Sequence, residues 1–265
     1  MRPIKANGCM IALFVSDIDG CLSEVYEPHN LPTFQRISGF VGKKEPCFPE
    51  WSLCSGRSGP YVEAMAQVFG ISQSVLFEAG AGMFNLNTGV VKWHPAYDER
   101  VEQAIQEVQK WLQLAIRGTN LVYDYGKRTQ AGVVCPSRDE LAAFFPVVER
   151  YIDQHYPELV AFFTPYSIDV VPKETTKADG LRWLSKETGI PLHKMAYIGD
   201  AGMDIGALKL VGFPFAPANA HSSVKALGIP ITTGSFVEGV LEAYNWCVSW
   251  NHMKSKGRDT VPEGL

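Results

Sequence analysis

The chain has 265 residues, of which 46% are hydrophobic and 20% charged, and its formal net charge is −4. That length suits one large core or a core carrying an insert, and the composition is ordinary for a globular enzyme. The acidic balance excludes a basic field for nucleic acid, so any phosphate must be held by a few local donors.

Six cysteines (Cys9, Cys21, Cys47, Cys54, Cys135, Cys247) are scattered with no Cys-x-x-Cys pair. This pattern argues against a zinc site or a disulfide framework and fits a reducing cytoplasm. Nowhere do ~18 consecutive apolar residues occur, so no membrane span is expected. Met1 to Lys5 followed by Met10 to Val15 imitates a short signal peptide, but no small-residue cleavage site follows.

Ile11 to Ser16 is an apolar run that ends in Asp17-Ile18-Asp19-Gly20. Such a run reads as a buried central strand, and ligands of open α/β sheets bind at strand carboxyl ends. Two acids there suit a hard cation and a nucleophile. Leu22 to Pro49 reads as a loop with at most a short helix. Trp51 to Cys54 is a brief strand leading to Ser55-Gly56-Arg57-Ser58-Gly59-Pro60. A helix follows, with Val62, Met65, Ala66 and Phe69 on one face and Gly70 closing it. Strand, Ser-Gly turn and helix start make a ready anion site. Ser74 to Phe77 is the next strand, running into the small residues Glu78-Ala79-Gly80-Ala81-Gly82.

Beyond it the pattern changes. Phe84 to Trp93 reads as a hairpin around Asn87-Thr88-Gly89, and Val101 to Ile116 has helix periodicity. Leu121 to Tyr125 and Gln130 to Cys135 read as strands, and Asp139 to Tyr156 as a helix capped by Ser137 and interrupted at Pro146. Residues 83–167 thus form an α+β insert, a cap, between core segments 1–82 and 168–265. The core resumes with strand Ile168 to Pro172 and a helix from Lys177 to Thr188, capped by Thr175 or Thr176 and ended by Gly189. Lys177 therefore stands at a helix N-terminus, where the dipole disfavours a cation. Met195 to Gly199 is another buried strand, ending in Asp200-Ala201-Gly202-Met203-Asp204. Strand Phe213 to Ala216 leads to Asn219, Ile229 to Thr232 suggests a short edge strand, and Val237 to Trp250 a last helix. The tail from Asn251 is expected to be poorly ordered. The expected fold class is α/β, a Rossmann-like, doubly wound, mainly parallel sheet with an inserted α+β cap.

Four strands end in residues suited to chemistry: Asp17 and Asp19, Ser55-Gly56, Asp200 and Asp204, and Asn219, with Lys177 at a helix start. Four such endings converge on one sheet edge, which turn chemistry alone does not explain. Asp17-Ile18-Asp19-Gly20, Ser55-Gly56-Arg57, Lys177 and Gly199-Asp200-Ala201-Gly202-Met203-Asp204 resemble, in order and spacing, the four motifs of the haloacid dehalogenase-like superfamily. The insert and the Ala218-Asn219-Ala220 stretch resemble its Cof-type, sucrose-phosphatase-like branch with a type IIB cap.

The resemblance implies a phosphatase of small phosphorylated metabolites, such as a sugar phosphate or phosphoglycolate. Asp17 would be the nucleophile and Asp19 the acid and base. Ser55, Gly56, Lys177 and Asn219 would hold the phosphoryl group. A magnesium ion would be held by Asp17, the Asp19 carbonyl and Asp200, with Asp204 supporting or ligating. A carboxylate at position 19 favours a phosphate ester as substrate, because the leaving alcohol needs a proton. Two residues depart from the family pattern: Cys21 stands where Thr is commonest and Met203 where Asn is usual. Arg57, Tyr125, Lys127 and Arg128 are candidates for substrate selection, while His94 and His221 read as structural. A hexose phosphomutase and a silent metabolite-binding module are the competing readings.

Overall fold

The computed structural model describes residues 10–257, apart from 26 and 165, together with residue 262. Cys9, the Met1 to Lys5 part of the signal-like start and residues 258–261 and 263–265 of the tail lie outside the described residues.

The chain opens with β1 (Leu13–Ser16), α1 (Leu31–Ser38), β2 (Glu50–Leu53), α2 (Gly59–Phe69) and β3 (Ser74–Phe77). The hairpin β4 (Gly82–Asn85) and β5 (Val90–Trp93) follows, then α3 (Glu99–Ala115), β6 (Val122–Tyr123) and β7 (Ala131–Val134). Next come α4 (Arg138–His155), β8 (Leu159–Phe163), β9 (Ser167–Pro172), α5 (Lys177–Thr188) and β10 (Met195–Ile198). The last elements are α6 (Ile205–Leu210), β11 (Phe213–Phe215), α7 (Ser222–Lys225) and α8 (Phe236–Ser255).

The core sheet runs β11-β10-β1-β2 with every pair parallel. β1 is a central strand, and all four of its residues are buried. Alternation sends Phe14 to one face, against Trp51 and Tyr244, and Leu13 and Val15 to the other, with Tyr197 and Leu181. A parallel bridge between Cys54 and Leu76 hands the sheet on to β3, and the antiparallel β4–β5 hairpin extends it. The α/β class with a mainly parallel centre is as expected. At the far end Asn251, fully buried on α8, accepts from the Ile11 N–H (2.7 Å) and donates to the Ile11 carbonyl (2.8 Å).

A second sheet, β6-β7-β9-β8, is wholly antiparallel. Its Ala131, Val133, Leu159, Ile168 and Val170 pack with Ile105, Val108, Leu112, Leu141 and Val148 of α3 and α4 into a separate core. Strand pairing displaces both expected junctions. The hairpin assigned to the insert pairs with β3 of the core, and β9, assigned to the core, sits between β7 and β8. We therefore place the cap at about residues 95–173. Strands of either unit carry the same apolar alternation, so pairing, not composition, decides membership.

Three smaller expectations fail. α4 runs through Pro146 without interruption. The edge strand at 229–232 is a single bridge, Ala216 to Ile231. The tail expected to start at Asn251 is helical to Ser255. By contrast α5 has the predicted bounds, because Thr176 and Asp179 form a capping box and Gly189 ends the helix at φ 71°.

Candidate active site

β1 and β10 run parallel in register, so their carboxyl ends lie side by side, and both lead into acids. Asp17 is 5% exposed and Asp204 fully buried. Gly20 (φ 76°) makes the approach of Asp200 possible, since a Cβ on Gly20 would lie 2.2 Å from Asp200 Oδ2. One oxygen from each of Asp17, Asp200 and Asp204 falls within 4.8 Å of the others.

The buried Lys177 enters this cluster from the first turn of α5. Its Nζ donates to Asp17 Oδ2 (2.6 Å) and Asp204 Oδ1 (2.7 Å), so two anions outweigh the unfavourable helix dipole. Helix α5 can come this close because Gly80 and Gly180 face each other. A Cβ on Gly180 would sit 2.6 Å from Gly80 Cα.

The charges do not balance. Three carboxylates share one lysine in a poorly solvated place. Burial pushes the Asp17 carboxyl well up against the pull of Lys177, and Asp204 and Asp200 add to the rise. Burial, then Asp204, raises Asp200 to about 7. Burial opposes the charge on Lys177, yet Asp17 and Asp204 prevail and hold its ammonium well above the usual range. All the donors converging here are oxygens, a set that suits a hard divalent cation such as magnesium.

Asp204 is no free ligand. Its Oδ1 accepts from Lys177 and from the Tyr197 hydroxyl (2.6 Å), and its Oδ2 from the Asp200 (3.1 Å) and Ala201 (3.0 Å) amides. Four donors occupy its four acceptor positions, which fits the supporting role of the two expected for it better than the ligating one. Tyr197 was not singled out in the sequence. The available signal was a tyrosine inside a buried strand, whose hydroxyl needs a partner.

Asp19 lies apart from the cluster. Arg57 Nε donates to its Oδ2 (2.6 Å) and Arg57 Nη2 to its Oδ1 (2.7 Å), a bidentate pair about one-third exposed. This leaves its backbone carbonyl, not its carboxylate, as the group open to a metal. Ser55 is buried and accepts from the Arg57 amide (3.2 Å), while Gly56 borders open space, where an added Cβ meets nothing within 4 Å. Asn219 departs from its expected place on phosphate. Its side chain donates to the Gly20 carbonyl (2.8 Å) and accepts from the Phe236 amide (2.7 Å), where φ is 50°. Both ends of the amide are engaged, which makes it a tie between the Asp17–Gly20 loop and α8.

The cap candidates divide. Lys127 Nζ is held by Asp169 Oδ1 (2.6 Å) and Asp124 Oδ2 (3.3 Å), and Ser167 Oγ donates to Asp169 Oδ2 (2.6 Å). Arg128 turns away to Glu102 (2.9 Å) and the Trp93 ring, and Tyr125 is 84% exposed. Strand alternation places Asp169 with Val171 and Phe162 on the cap face opposite its own core. Phe162 and Val171 meet Thr176, Lys177, Met203 and Gly206 of the core around a crevice of about 160 Å³. The open cap face therefore looks onto the core beside the acids. Met203 is one of its apolar walls. His94 is half-buried edge-on to Trp183, and His221 caps α7.

The profile of the haloacid dehalogenase-like hydrolases matches residues 121–243. A protein of Methanothrix thermoacetophila named phosphoglycolate phosphatase is 26% identical over 94% of this chain and 99% of its own. A solved structure from Thermoplasma acidophilum superposes with a TM-score of 0.70 at 21% identity, over 90% of this chain and 99% of that one. The sucrose-phosphatase of Synechocystis, solved with sucrose and phosphate, superposes with a TM-score of 0.64 at 14% identity, over 90% of this chain and 98% of that one. No helix among the described residues is long and apolar enough to cross a membrane. With the motif acids, Lys177 and the cap in these positions, the chain is similar to the haloacid dehalogenase-like hydrolases and shares the fold of their solved structures.

Proposed function

We propose that the protein is a magnesium-dependent phosphatase of small phosphate monoesters, working through an aspartyl-phosphate on Asp17. The observation that carries this reading is Lys177, buried between Asp17 and Asp204 with Asp200 beside them. Asp17 and Asp200, with the Asp19 carbonyl, would hold the metal, which when bound offsets repulsion between these acids and the dianionic substrate.

Phosphoryl transfer needs an in-line nucleophile, neutralised charge and positioning. Asp17 attacks phosphorus, the P–O bond to the leaving group breaks, and the departing oxygen takes a proton from Asp19. Water then attacks the aspartyl-phosphate, Asp19 takes its proton, and phosphate leaves with Asp17 restored. Lys177 and the Ser55–Gly56 turn stabilise the phosphoryl oxygens. Asp19 begins paired with Arg57, so it must exchange that partner for the substrate oxygen before it can act as an acid.

The names of the relatives make phosphoglycolate one substrate candidate. The cap face favours a hydroxylated leaving group such as a sugar. Lys127 is already matched by two carboxylates, so a glycolate carboxylate would meet net negative charge, whereas hydroxyls can donate to Asp124 and Asp169. The test is release of phosphate from p-nitrophenyl phosphate with magnesium. Asp17→Asn is expected to lower kcat at least ~10³-fold, and retention of full turnover would overturn the reading.

A further inference from the structure

Residues Glu78, Ala79 and Gly80, between β3 and β4, all lie in the left-handed region, with φ of 48°, 57° and 96°. Glycine accepts this readily; Glu and Ala do so only where the surroundings hold them there. The turn touches three parts of the site at once. The Glu78 N–H donates to the Arg57 carbonyl (2.9 Å) and the Ala79 N–H to the Ser55 carbonyl (2.8 Å), which fixes the Ser55–Arg57 loop. Gly80 packs on Gly180, which seats α5 and hence Lys177. The Glu78 side chain points the other way, into the cap.

That side chain is only 2% exposed. Its Oε2 accepts from the Arg128 amide (3.0 Å), the Thr129 amide (2.5 Å) and the Thr129 hydroxyl (2.6 Å). All three donors belong to the cap loop that also carries Lys127. A buried carboxylate is tolerated only when it is fully bonded, so this contact ties cap to core through one atom. The same loop approaches the core a second time, where a Cβ on Gly126 would lie 3.7 Å from Ser58 Oγ.

We propose that Glu78 is a positioning residue that couples the seating of the cap to the geometry of the phosphate-binding loop and Lys177. When the cap loop occupies Glu78 Oε2, the turn keeps its left-handed form, and the Ser55–Arg57 carbonyls and α5 stay in the arrangement that receives phosphate. When the cap lifts, the carboxylate loses its donors and the strained turn its reason, so the loop on the core side loosens too. The proposal rests on the phosphatase reading for its kinetic test, but has a structural test of its own.

The decisive experiment substitutes the cap side and reads the core side. Thr129→Val removes one hydroxyl donor and little volume. Hydrogen exchange at the amides of residues 55–57 is expected to quicken along with that of residues 127–130, with unchanged exchange in α8. Unchanged exchange at 55–57 would overturn the coupling whether or not the protein is a phosphatase. In kinetics with p-nitrophenyl phosphate and magnesium, Glu78→Ala is expected to lower kcat/KM by ~10–100-fold, the scale set by small misplacements of reacting groups. Glu78→Gln keeps an acceptor oxygen for the three donors and is expected to recover most of that loss. An inactive wild type would refute the phosphatase reading alone. An active wild type matched by Glu78→Ala, or a Glu78→Gln no better than Glu78→Ala, would refute the role of Glu78.

Discussion

Two lysines in this protein each sit between two carboxylates, the buried Lys177 with Asp17 and Asp204 in the core and the mostly covered Lys127 with Asp169 and Asp124 in the cap. They differ in what surrounds them. Around Lys127 the nearby hydroxyl of Ser167 donates to Asp169, and the one marked consequence is a raised lysine, for which burial is outweighed by Asp169 and Asp124. Around Lys177 a third carboxylate, Asp200, crowds in, and burial leaves Asp17 and Asp200 reluctant to ionise. The cap cluster is satisfied by its own residues. The core cluster has more carboxylates than its lysine can match, and under the proposed function a cation from outside would complete it, which would separate a site for chemistry from one for recognition.

The sharpest way to break the comparison is to remove each lysine in turn. Lys177→Met is expected to cost ~10²–10³-fold in kcat with p-nitrophenyl phosphate, as loss of a charge-stabilising donor does. Its thermal midpoint in metal-free buffer should also shift, since Asp17 and Asp204 would face each other unscreened. The metal itself gives the next largest effect. A carboxyl raised to about 7 in the fold binds its proton more tightly than in the unfolded chain, so its contribution to stability is complete below about pH 4 and is lost as pH rises through 7. Metal-free protein should therefore melt lower near pH 8 than near pH 5 through Asp200, and magnesium should reverse this. Magnesium at a hundred times its Kd should raise the melting temperature by about 5–10 °C near pH 8, and by less at acid pH where it must displace protons. Equal gains at both pH values would sink the assignment of Asp200 as a ligand.

Lys127→Met should destabilise the cap by about 3 kcal/mol, the cost of leaving the buried Asp169 and the half-buried Asp124 without their cation, while lowering kcat less than ~10-fold. Its effect should show instead in the ratio of kcat/KM for a sugar phosphate over phosphoglycolate; an unchanged ratio would remove the cluster from substrate selection. Tyr197→Phe should be the mildest, about 1–2 kcal/mol in chemical denaturation and a few-fold in kcat, because Asp204 keeps three of its four donors.

Much of the core site was legible because its residues follow strand ends and helix caps, which are local signals. Asp17, Asp200 and Lys177 come together as their motifs imply, and Thr175 or Thr176 with Gly189 marked the ends of α5. Three residues resisted because their roles depend on partners far along the chain. Asn219 resembled a phosphate ligand, yet its amide is committed to Gly20 and Phe236. Arg57 read as a selector of substrate, yet it holds Asp19. Glu78 read only as one of a run of mostly small residues after β3, because a left-handed glutamate leaves no mark in sequence when its partners lie 50 residues away. The displaced cap junctions have the same origin, since β4, β5 and β9 look alike whichever sheet they join.

The clasp between Asn251 and Ile11 bears on the order of assembly. The cap comes from one continuous stretch and closes its own hydrophobic cluster from local contacts, so it can fold while later residues are still being added. The strand that carries Asp17 cannot be completed until β10 arrives to pair with it and α8 supplies Asn251, 240 positions away. On a ribosome, Asp17 thus gains its walls only after α8 has emerged, and a chain truncated before residue 251 would present a finished cap over an unfinished core.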